Sequence, residues 1–394
     1  MSDIRKAVIA ASHAPQFPDG IGRVPNNPVV AAAFSALFKG GPAARSQSNG
    51  WMEEKSRVIY RHHGRLGGVL EIYFGGEDQI PAAQQWELIE GLGTLIVDTL
   101  ASILAHVCDP LDNVRSMYPA CQSTKVTAAT VLAHKQFRRW GDERRTLMRR
   151  IAQDVEGLSM LRVDLHRYPA QDPQTGRWNN RGISILGDRL LDIQPMSPVP
   201  EAPQLPAEDR AWLVRVGQWG QLWLNLQTRV WTSPLQRQLL MLDHRTNRGA
   251  SVLAKKIGLS ITMLWGAARR RSVIERRICS LLESIGELPR DEHRTGHWAG
   301  RMCDRFDDAL LILQDAGVLG QIEWPDEFRP GSFHRTKGWV DPWLSSKIRV
   351  HRLESPVRQA SAPMKLIRGE AAYRNPVEPH AGPLVYQTQV LAVG

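Results

Sequence analysis

The side chains best suited to chemistry in this sequence are the basic ones of the stretch HWAGRMCDRFDD, in its C-terminal half. Apolar residues recur there at helical spacing, so the sequence predicts a helix over 298–316 with one apolar side. Arg301 and Arg305 fall on the opposite side, where a guanidinium can bind a phosphate or read a guanine. Alternatively, these arginines pair with Asp304 and Asp308 on a solvated face. The residues that share the apolar side are Met302, Phe306, Ala309, Leu310 and Leu313.

Enzyme motifs are absent from the sequence. It contains no GxxxxGK[ST], no GxSxG, no HExxH and no Cys/His group with metal-ligand spacing. The pair His62–His63 lacks the His-apolar-His alternation that points two imidazoles at one metal, and is better explained as part of a hairpin turn. The acidic group around Asp307 lies beside arginines that would neutralise it as a Mg²⁺ site. We therefore expect no catalytic residue, no metal and no cofactor.

The overall charge points to a polyanionic partner. The 394 residues carry a formal net charge of +10, and 42% of them are hydrophobic, which is enough for sizeable cores. The four cysteines are far apart and form no CxxC pair, as expected in a reducing cytoplasm. Because no apolar run approaches the ~20 residues of a membrane helix, we expect a cytoplasmic protein with no membrane partner.

Two basic clusters add to this indication. Residues 134–150 contain seven Lys or Arg and two acids, and residues 255–271 contain five Lys or Arg and no acid. Aromatic residues lie inside both clusters. Because basic residues release counterions when they neutralise phosphates, clusters on successive helices favour duplex DNA, although a solvated face is the common alternative.

The predicted elements suggest two units of similar order. In each, helices are followed by strands, the order found in winged helix-turn-helix domains. We predict a hairpin turning at 63–68 as well. The predicted helices are 82–107, 124–140, 142–157, 233–244, 250–264, 272–285 and 298–316, and the predicted strands lie near 160–166, 183–193, 317–324 and 345–353.

Five prolines between 194 and 210 predict a semi-rigid linker. The predicted fold class is therefore α+β, mainly helical, with two tandem winged-helix domains that this linker joins. The segments are an irregular N-terminal segment 1–24, a first domain 25–193, the linker 194–210, a second domain 211–354 and an extended tail 355–394.

Three stretches carry a resemblance to a known family. They are NNPVVAAAFSALFKGG, VTAATVLAHKQFRRWGDERRTLMRRIAQDVEGLSMLRVDL and RTGHWAGRMCDRFDDALLILQDAGVLGQIEW. In element order and composition, residues 25–352 resemble the broad-host-range plasmid replication initiators that bind repeated origin sites. The resemblance implies that both units contact DNA, that the first unit forms a homodimer, and that a host replicative helicase and sliding clamp are partners. The segment QLWLNL, 221–226, is weakly similar to a clamp-binding peptide, but is better explained as a core strand.

The candidate DNA-binding residues come from both units. Those of the first unit are Lys125, Thr127, Lys135, Arg138 and Arg139. Those of the second unit are Lys255, Lys256, Arg269, Arg270, Arg271, Arg294, Thr295, His297, Trp298, Arg301 and Arg305, with Arg335 and Lys337 in the loop that would be its wing.

The sequence thus predicts a non-enzymatic, sequence-specific binder of double-stranded DNA, with replication initiation at repeated sites as the expected role. A transcriptional regulator or partition protein of a mobile element is the first alternative. A nucleic-acid-binding component of a defence or nuclease complex is the second.

Overall fold

The computed structural model describes residues 21–353, apart from 43, 46–49, 65–66, 76–79, 113–122, 136–140, 173–176, 197–205, 207–209, 225–231, 243–248, 268–270, 331–332 and 334. These residues belong to one compact unit. The predicted tail 355–394 and most of the predicted N-terminal segment 1–24 lie outside the described residues. The fold mixes helix and sheet, with more strand than the mainly helical prediction implied.

Strands and helices are interspersed along the described chain. The strands are β1 (Ile21–Pro25), β2 (Trp51–Glu54), β3 (Arg57–His63), β4 (Val69–Phe74), β5 (Thr124–Thr127), β6 (Leu161–Gln171), β7 (Trp178–Arg189), β8 (Leu191–Pro195), β9 (Ala211–Val216), β10 (Thr232–Gln236), β11 (Val273–Arg277), β12 (Ile322–Glu323) and β13 (Lys347–His351). The helices are α1 (Pro28–Phe38), α2 (Ala82–Glu90), α3 (Thr94–Asp112), α4 (Ala128–Lys135), α5 (Asp142–Ser159), α6 (Gly220–Trp223), α7 (Arg237–Met241), α8 (Ala250–Ala267), α9 (Ile278–Ser284), α10 (Gly296–Asp315) and α11 (Val340–Ser345).

A five-stranded antiparallel sheet has the order β2-β3-β4-β6-β7. The predicted hairpin turning at 63–68 is confirmed, because β3 and β4 pair with His63 opposite Val69. Side chains alternate across the sheet, and one side buries Val58, Leu70 and Ile72 completely. Helix α1 packs against β4.

Two parts of the chain repeat one succession of elements. In the first part, α3 is followed by β5, α4, α5, β8 and β9, and the sheet has the order β5-β9-β8. In the second part, α8 is followed by β11, α9, α10, β12 and β13, and the sheet has the order β11-β13-β12. All these strand pairs are antiparallel, and in both sheets the last strand along the chain lies in the middle. The β6–β7 hairpin is inserted in the first part, between α5 and β8.

The Pro-rich segment 194–210 connects two neighbouring strands. Pro195 at the end of β8 lies opposite Trp212 of β9, and the Met196 N–H donates to the Ala211 carbonyl oxygen at 2.8 Å. Because both ends of the segment meet in one antiparallel pair, it is a strand connection rather than an interdomain linker. The strand that follows it, assigned by prediction to the second domain, belongs to the sheet of the first part. Separate folding of the two predicted domains stays a prediction.

Contacts also join the two parts of the chain. Strand β1 pairs with β10, and the Asn26 side chain donates to the Met263 carbonyl oxygen of α8 at 2.9 Å. Lys255 of α8 reaches Asp98 of α3 across the interior. The buried apolar residues accordingly form one continuous core.

Several helix predictions need correction. The predicted helix 82–107 is two helices, α2 and α3, because Gly91 and Gly93 interrupt it. The predicted helices 124–140, 233–244 and 272–285 begin instead as the strands β5, β10 and β11, and only then become helical. Predictions over 142–157, 250–264 and 298–316 are confirmed within two or three residues. Among the described residues, no helix is long and apolar enough to cross a membrane.

Candidate nucleic-acid interface

Helix α10 presents the basic stretch on a firmly packed support. The Thr295 hydroxyl caps the helix by accepting from the Trp298 N–H at 3.2 Å. The predicted apolar side is confirmed, since Met302, Phe306, Ala309, Leu310 and Leu313 are all buried. Phe306 packs edge-on against Trp324 and Trp343. The helix is therefore held by its apolar side, and its opposite side faces outward.

The two arginines of α10 differ in their surroundings. Arg301 is exposed and forms no ion pair with a described residue, and His297 is exposed one turn before it. Arg305 is only partly exposed, with its Nη2 3.4 Å from the Gly249 carbonyl oxygen and 3.8 Å from the Glu287 carboxylate. Arg301 therefore keeps its predicted availability, whereas Arg305 is engaged with the protein.

The long loop between β12 and β13 lies against the same end of α10. Its Arg335 pairs with Asp304 of the helix, and its guanidinium lies 5.5 Å from the ring of Trp339. A β-carbon at Gly300 would lie 3.3 Å from the Arg335 Nη1, so the glycine lets the loop approach closely. The pairing with Arg335 offsets the charge of Asp304. The exposed His297 and Arg301 of the helix thus lie near Arg335, which is paired with Asp304, and the loop continues to the exposed Lys337; we call these four residues the α10–loop surface.

Three predicted contacts near this surface have structural roles. Arg294 donates to the Pro289 carbonyl oxygen at 3.0 Å and pairs with Asp291. Thr295 is the helix cap described above. Trp298 packs against the core. We therefore remove these three residues from the candidate set, because their polar or aromatic groups are already in use.

The predicted lysines of the basic clusters are not available to DNA. Lys135 and Lys255 are buried, and their ammonium groups lie 3.1 and 2.8 Å from the Asp98 carboxylate. Lys256 pairs with Glu287 at 2.7 Å. The predictions for these three lysines are wrong, because Lys135 and Lys255 share the buried Asp98 carboxylate and Lys256 is engaged by Glu287.

The remaining candidates fall into three groups. Lys125 and Arg271 are exposed. Thr127 caps α4, because its hydroxyl oxygen accepts from the Thr130 N–H at 3.0 Å, so it is not a free DNA contact. Arg138, Arg139, Arg269 and Arg270 lie outside the described residues.

Helix α5 holds basic residues that the candidate set omitted. It occupies in the first part the place that α10 occupies in the second. Arg145 and Arg149 are exposed on it, with Arg145 also paired to Asp142 at 2.6 Å on the helix surface. Arg149 forms no ion pair with a described residue. The signal for these arginines was present in the basic cluster 134–150, but only the arrangement of the strands shows which helix of that cluster corresponds to α10.

Of segment 221–226, residues 221–224 are described, and their apolar side chains are buried while Gln221 is exposed. Leu222, Trp223 and Leu224 are buried in and just after α6. The interpretation as a core segment is thus supported, although the segment is helical rather than a strand. Leu222, Trp223 and Leu224 are therefore not available to a clamp in this conformation.

One polar cluster on the five-stranded sheet resembles a metal site in composition. Glu71, Asp164 and His166 bring ligand atoms within 4.8 Å of one another. Arg61 lies 2.7 Å from Glu71, and Arg57 lies 3.2 Å from Asp164. Because guanidinium groups already neutralise both carboxylates, we interpret the cluster as an ion-pair network.

An acidic group lies beside the α10–loop surface. Burial, with the neighbouring charges of Asp304 and Asp308, raises the pKa of Asp307 to about 7. Burial also raises the pKa of the Cys303 thiol to about 12. At neutral pH, Asp307 therefore adds only part of a negative charge next to the cations of this surface.

We expect Asp307→Asn to stabilise the protein increasingly as pH rises from about 4 to about 8. The ordinary pKa of the carboxyl is near 3.8, so in this interval the unfolded chain releases a proton that the folded chain keeps. The free energy of unfolding of the wild type falls accordingly. The neutral amide avoids this loss. Discounted for partial exposure, the gain at pH 8 is about 1–2 kcal/mol.

Urea unfolding of both proteins at several pH values measures this difference. Asp315→Asn, at an exposed acid of the same helix, controls for the removal of one negative charge. A difference between Asp307→Asn and wild type that stays constant from pH 4 to pH 8 would contradict the assigned protonation.

Comparisons with known proteins give little beyond this geometry. No protein-family model and no curated protein sequence matches the chain. Among solved structures, a crystal structure of RctB domains 2–3 is similar with 10% sequence identity, over 69% of this chain and 82% of that one, at a TM-score of 0.34. A structure of selenomethionine derivatives of domains 2 and 3 of RctB is similar with 10% identity, over 79% and 97%, at a TM-score of 0.38. Such low scores do not establish a common fold, so we argue function from the residues.

Proposed function

We propose that the protein binds double-stranded DNA in a sequence-specific manner, with α10 as a recognition helix. The observation that carries this proposal is the α10–loop surface, where exposed Arg301 and His297 lie at the leading end of a helix fixed by its apolar side. A helix of this kind fits the major groove, with its N-terminal residues against the base edges. Lys337 of the loop would contact the backbone, and Arg335 would do so by exchanging Asp304 for a phosphate.

We further propose that both repeated parts are winged helices. In this interpretation α5 and α10 are equivalent recognition helices, and the connections after β8 and β12 are the wings. The shared strand order of the two sheets supports it, because in each the third strand lies between the first two. Arg145 and Arg149 of α5 would then contact DNA in the first part. The two wings differ in charge: 196–210 contains three acids and one arginine, so backbone contact is expected from the second wing only.

Replication initiation at repeated origin sites is the role we propose for this binding. The sequence resemblance to plasmid initiators supports it, and two DNA-binding units in one chain suit a site of two helical turns. Homodimerisation, and partnership with a replicative helicase and a sliding clamp, are part of this proposal. The test is whether the gene, with neighbouring DNA that carries direct repeats, maintains a plasmid autonomously. Repression of transcription without such maintenance would instead favour a regulator.

We expect Arg301→Ala to weaken specific DNA binding by about 1–3 kcal/mol if the residue reads a base. If it contacts only phosphate, the loss is smaller, and the salt dependence of log K falls by about one phosphate contact. Its side chain is exposed and unpaired among the described residues, so thermal stability is expected to stay nearly unchanged. Fluorescence anisotropy at several salt concentrations, with a duplex selected by the wild type from a random pool, measures both quantities.

Arg45→Ala serves as the matched control. Arg45 is exposed and pairs with Glu90, on the α2 side of the five-stranded sheet. It should leave affinity within twofold of the wild type. Equal losses for the two variants would show that net charge alone governs binding. Wild-type affinity that does not depend on salt would overturn the proposed function.

A further inference from the structure

Strands β6 and β7 continue beyond the five-stranded sheet as a two-stranded ribbon. Strand β4 pairs with β6 only between Leu161 and His166. Among the described residues, 167–171 and 178–183 pair with each other alone. The ribbon thus extends roughly 15–20 Å past the last partner on β4. Tyr168 anchors its base by packing edge-on against Trp223.

A bulge at the base of the ribbon fixes Arg167 in an unusual conformation. Arg167 has a φ of 49° and Gly182, across from it, a φ of 77°. A β-carbon at position 182 would lie 2.2 Å from the Arg167 carbonyl oxygen, so only glycine fits there. The Arg167 N–H donates to the Ser184 hydroxyl at 3.1 Å. Left-handed backbone at a residue with a β-carbon persists where the surroundings hold it, and it often marks a functional position.

Two arginines of the ribbon have no counter-charge among the described residues. Arg167 and Arg181 are exposed, and neither side chain pairs with a described residue. Asp172 is the one acid in the sequence from 167 to 183. On the sheet itself the pattern is different, because arginines there pair with buried acids, as Arg57 does with Asp164.

An aromatic side chain accompanies these cations. Trp178, at the outer end of β7, is 44% exposed. The stretch around it, AQDPQTGRWNNRG, is rich in amide side chains, which donate and accept hydrogen bonds. Cations of one sign with amides and an exposed aromatic ring fit a sugar–phosphate backbone, whose charges form a linear array.

We propose that the β6–β7 ribbon binds the sugar–phosphate backbone of duplex DNA at the edge of the site recognised by the helices. Arg167 and Arg181 contact phosphates, and Trp178 packs against the sugars. Tyr168 and Ala170 are buried, so one face of the ribbon is covered by the protein and its exposed side chains are the ones that can contact DNA. The proposal rests on the proposed function and adds a contact outside the two winged-helix units.

The test uses the full chain and a 60-bp duplex that the wild type selects from a random pool. The variant is Arg167→Gln/Arg181→Gln, and Arg45→Gln/Lys55→Gln is its matched control. The control also removes two positive charges, but near β2, which lies at the edge of the sheet opposite β7. Urea unfolding first establishes that both variants fold like the wild type.

The ribbon variant should bind about five- to twentyfold more weakly, with the salt dependence of log K reduced by about two phosphate contacts. Its hydroxyl-radical footprint should lose protection at one edge, while its sequence preference stays unchanged. The control should remain within twofold of the wild type.

The ribbon variant could keep the affinity, the salt dependence and the footprint of the wild type while Arg301→Ala binds weakly. That result would overturn the ribbon proposal and leave the proposed function standing. A ribbon variant that loses affinity only for a 60-nucleotide single strand of DNA or RNA would also overturn it. A wild type without salt-sensitive affinity for any duplex in the pool would overturn both.

Discussion

Replacing Asp98 with Asn is expected to lower the free energy of unfolding by about 3–5 kcal/mol. The Asp98 side chain is fully buried, and its Oδ2 lies 2.8 Å from the Lys255 Nζ and 3.1 Å from the Lys135 Nζ. An amide keeps the shape of the carboxylate but not its charge. Two buried ammonium groups would then share only weaker counter-charges, and such uncompensated charge is strongly destabilising. Equilibrium unfolding in urea measures the difference.

Two further variants separate buried charge from general damage. Asp98→Asn/Lys255→Met removes one of the two ammonium groups that lose the Asp98 charge. Its free energy of unfolding should therefore be at least about 1 kcal/mol higher than that of the single variant. Asp142→Asn breaks an exposed pair with Arg145 and should change stability by less than about 0.5 kcal/mol. If Asp98→Asn is as stable as Asp142→Asn, the lysines do not depend on Asp98 for their charge balance.

The same buried group explains how the two parts of the chain hold together. Asp98 lies on α3 and Lys135 on α4, in the first part, whereas Lys255 lies on α8 in the second. Asp154 of α5 is close by, and burial raises its pKa to about 6 although Lys135 acts in the opposite direction. Charges buried at such a junction require specific partners, whereas apolar contacts alone tolerate sliding. We therefore infer that this group fixes the packing of the two parts.

The sequence correctly predicted elements whose apolar residues follow a single periodic pattern over their whole length. Helix α10 has a single apolar side over its whole length, and the residues assigned to that side are buried. The hairpin of β3 and β4 was likewise visible, because its strands and its turn adjoin in sequence. In both cases the sequence pattern spans only about twenty residues, so neighbouring residues were enough to predict the element.

Strands that lead directly into helices were missed. Strand β11 ends at Arg277 and α9 begins at Ile278. Ile274 and Ile278 are four positions apart, which is helical spacing, although Ile274 lies on the strand. A short strand of a few residues shows too few alternations to compete with the helical pattern that follows it. Its place in a sheet depends on β13, more than sixty residues later, which a local pattern does not include.

The candidate site was limited by the same lack of long-range information. The sequence places Lys255 in a basic cluster, which suggests a basic surface. In the structure Lys255 is buried and pairs with Asp98, 157 positions away in the sequence. Composition gives the charge of a segment and not the location of its partners. The exposure of Arg301 could be predicted because it follows from the apolar side of its own helix; its contact with DNA stays a prediction.

Replacing Phe306 with Ala is expected to lower the free energy of unfolding by about 3–5 kcal/mol. Its ring is fully buried and packs edge-on against Trp324 and Trp343, with centroids 6.3 and 6.2 Å away. Truncation leaves a cavity between rigid rings that cannot close around it. Phe306→Leu fills most of this volume and should cost only about half as much.

Because α10 is attached through this side, Phe306→Ala should also weaken DNA binding when the protein is partly unfolded, and binding should recover at lower temperature. Urea unfolding and anisotropy on the same samples compare it with Arg301→Ala, which should show the opposite pattern of normal stability and weak binding at every temperature. Parallel losses of stability and binding in both variants would mean that Arg301 supports the fold and does not contact DNA.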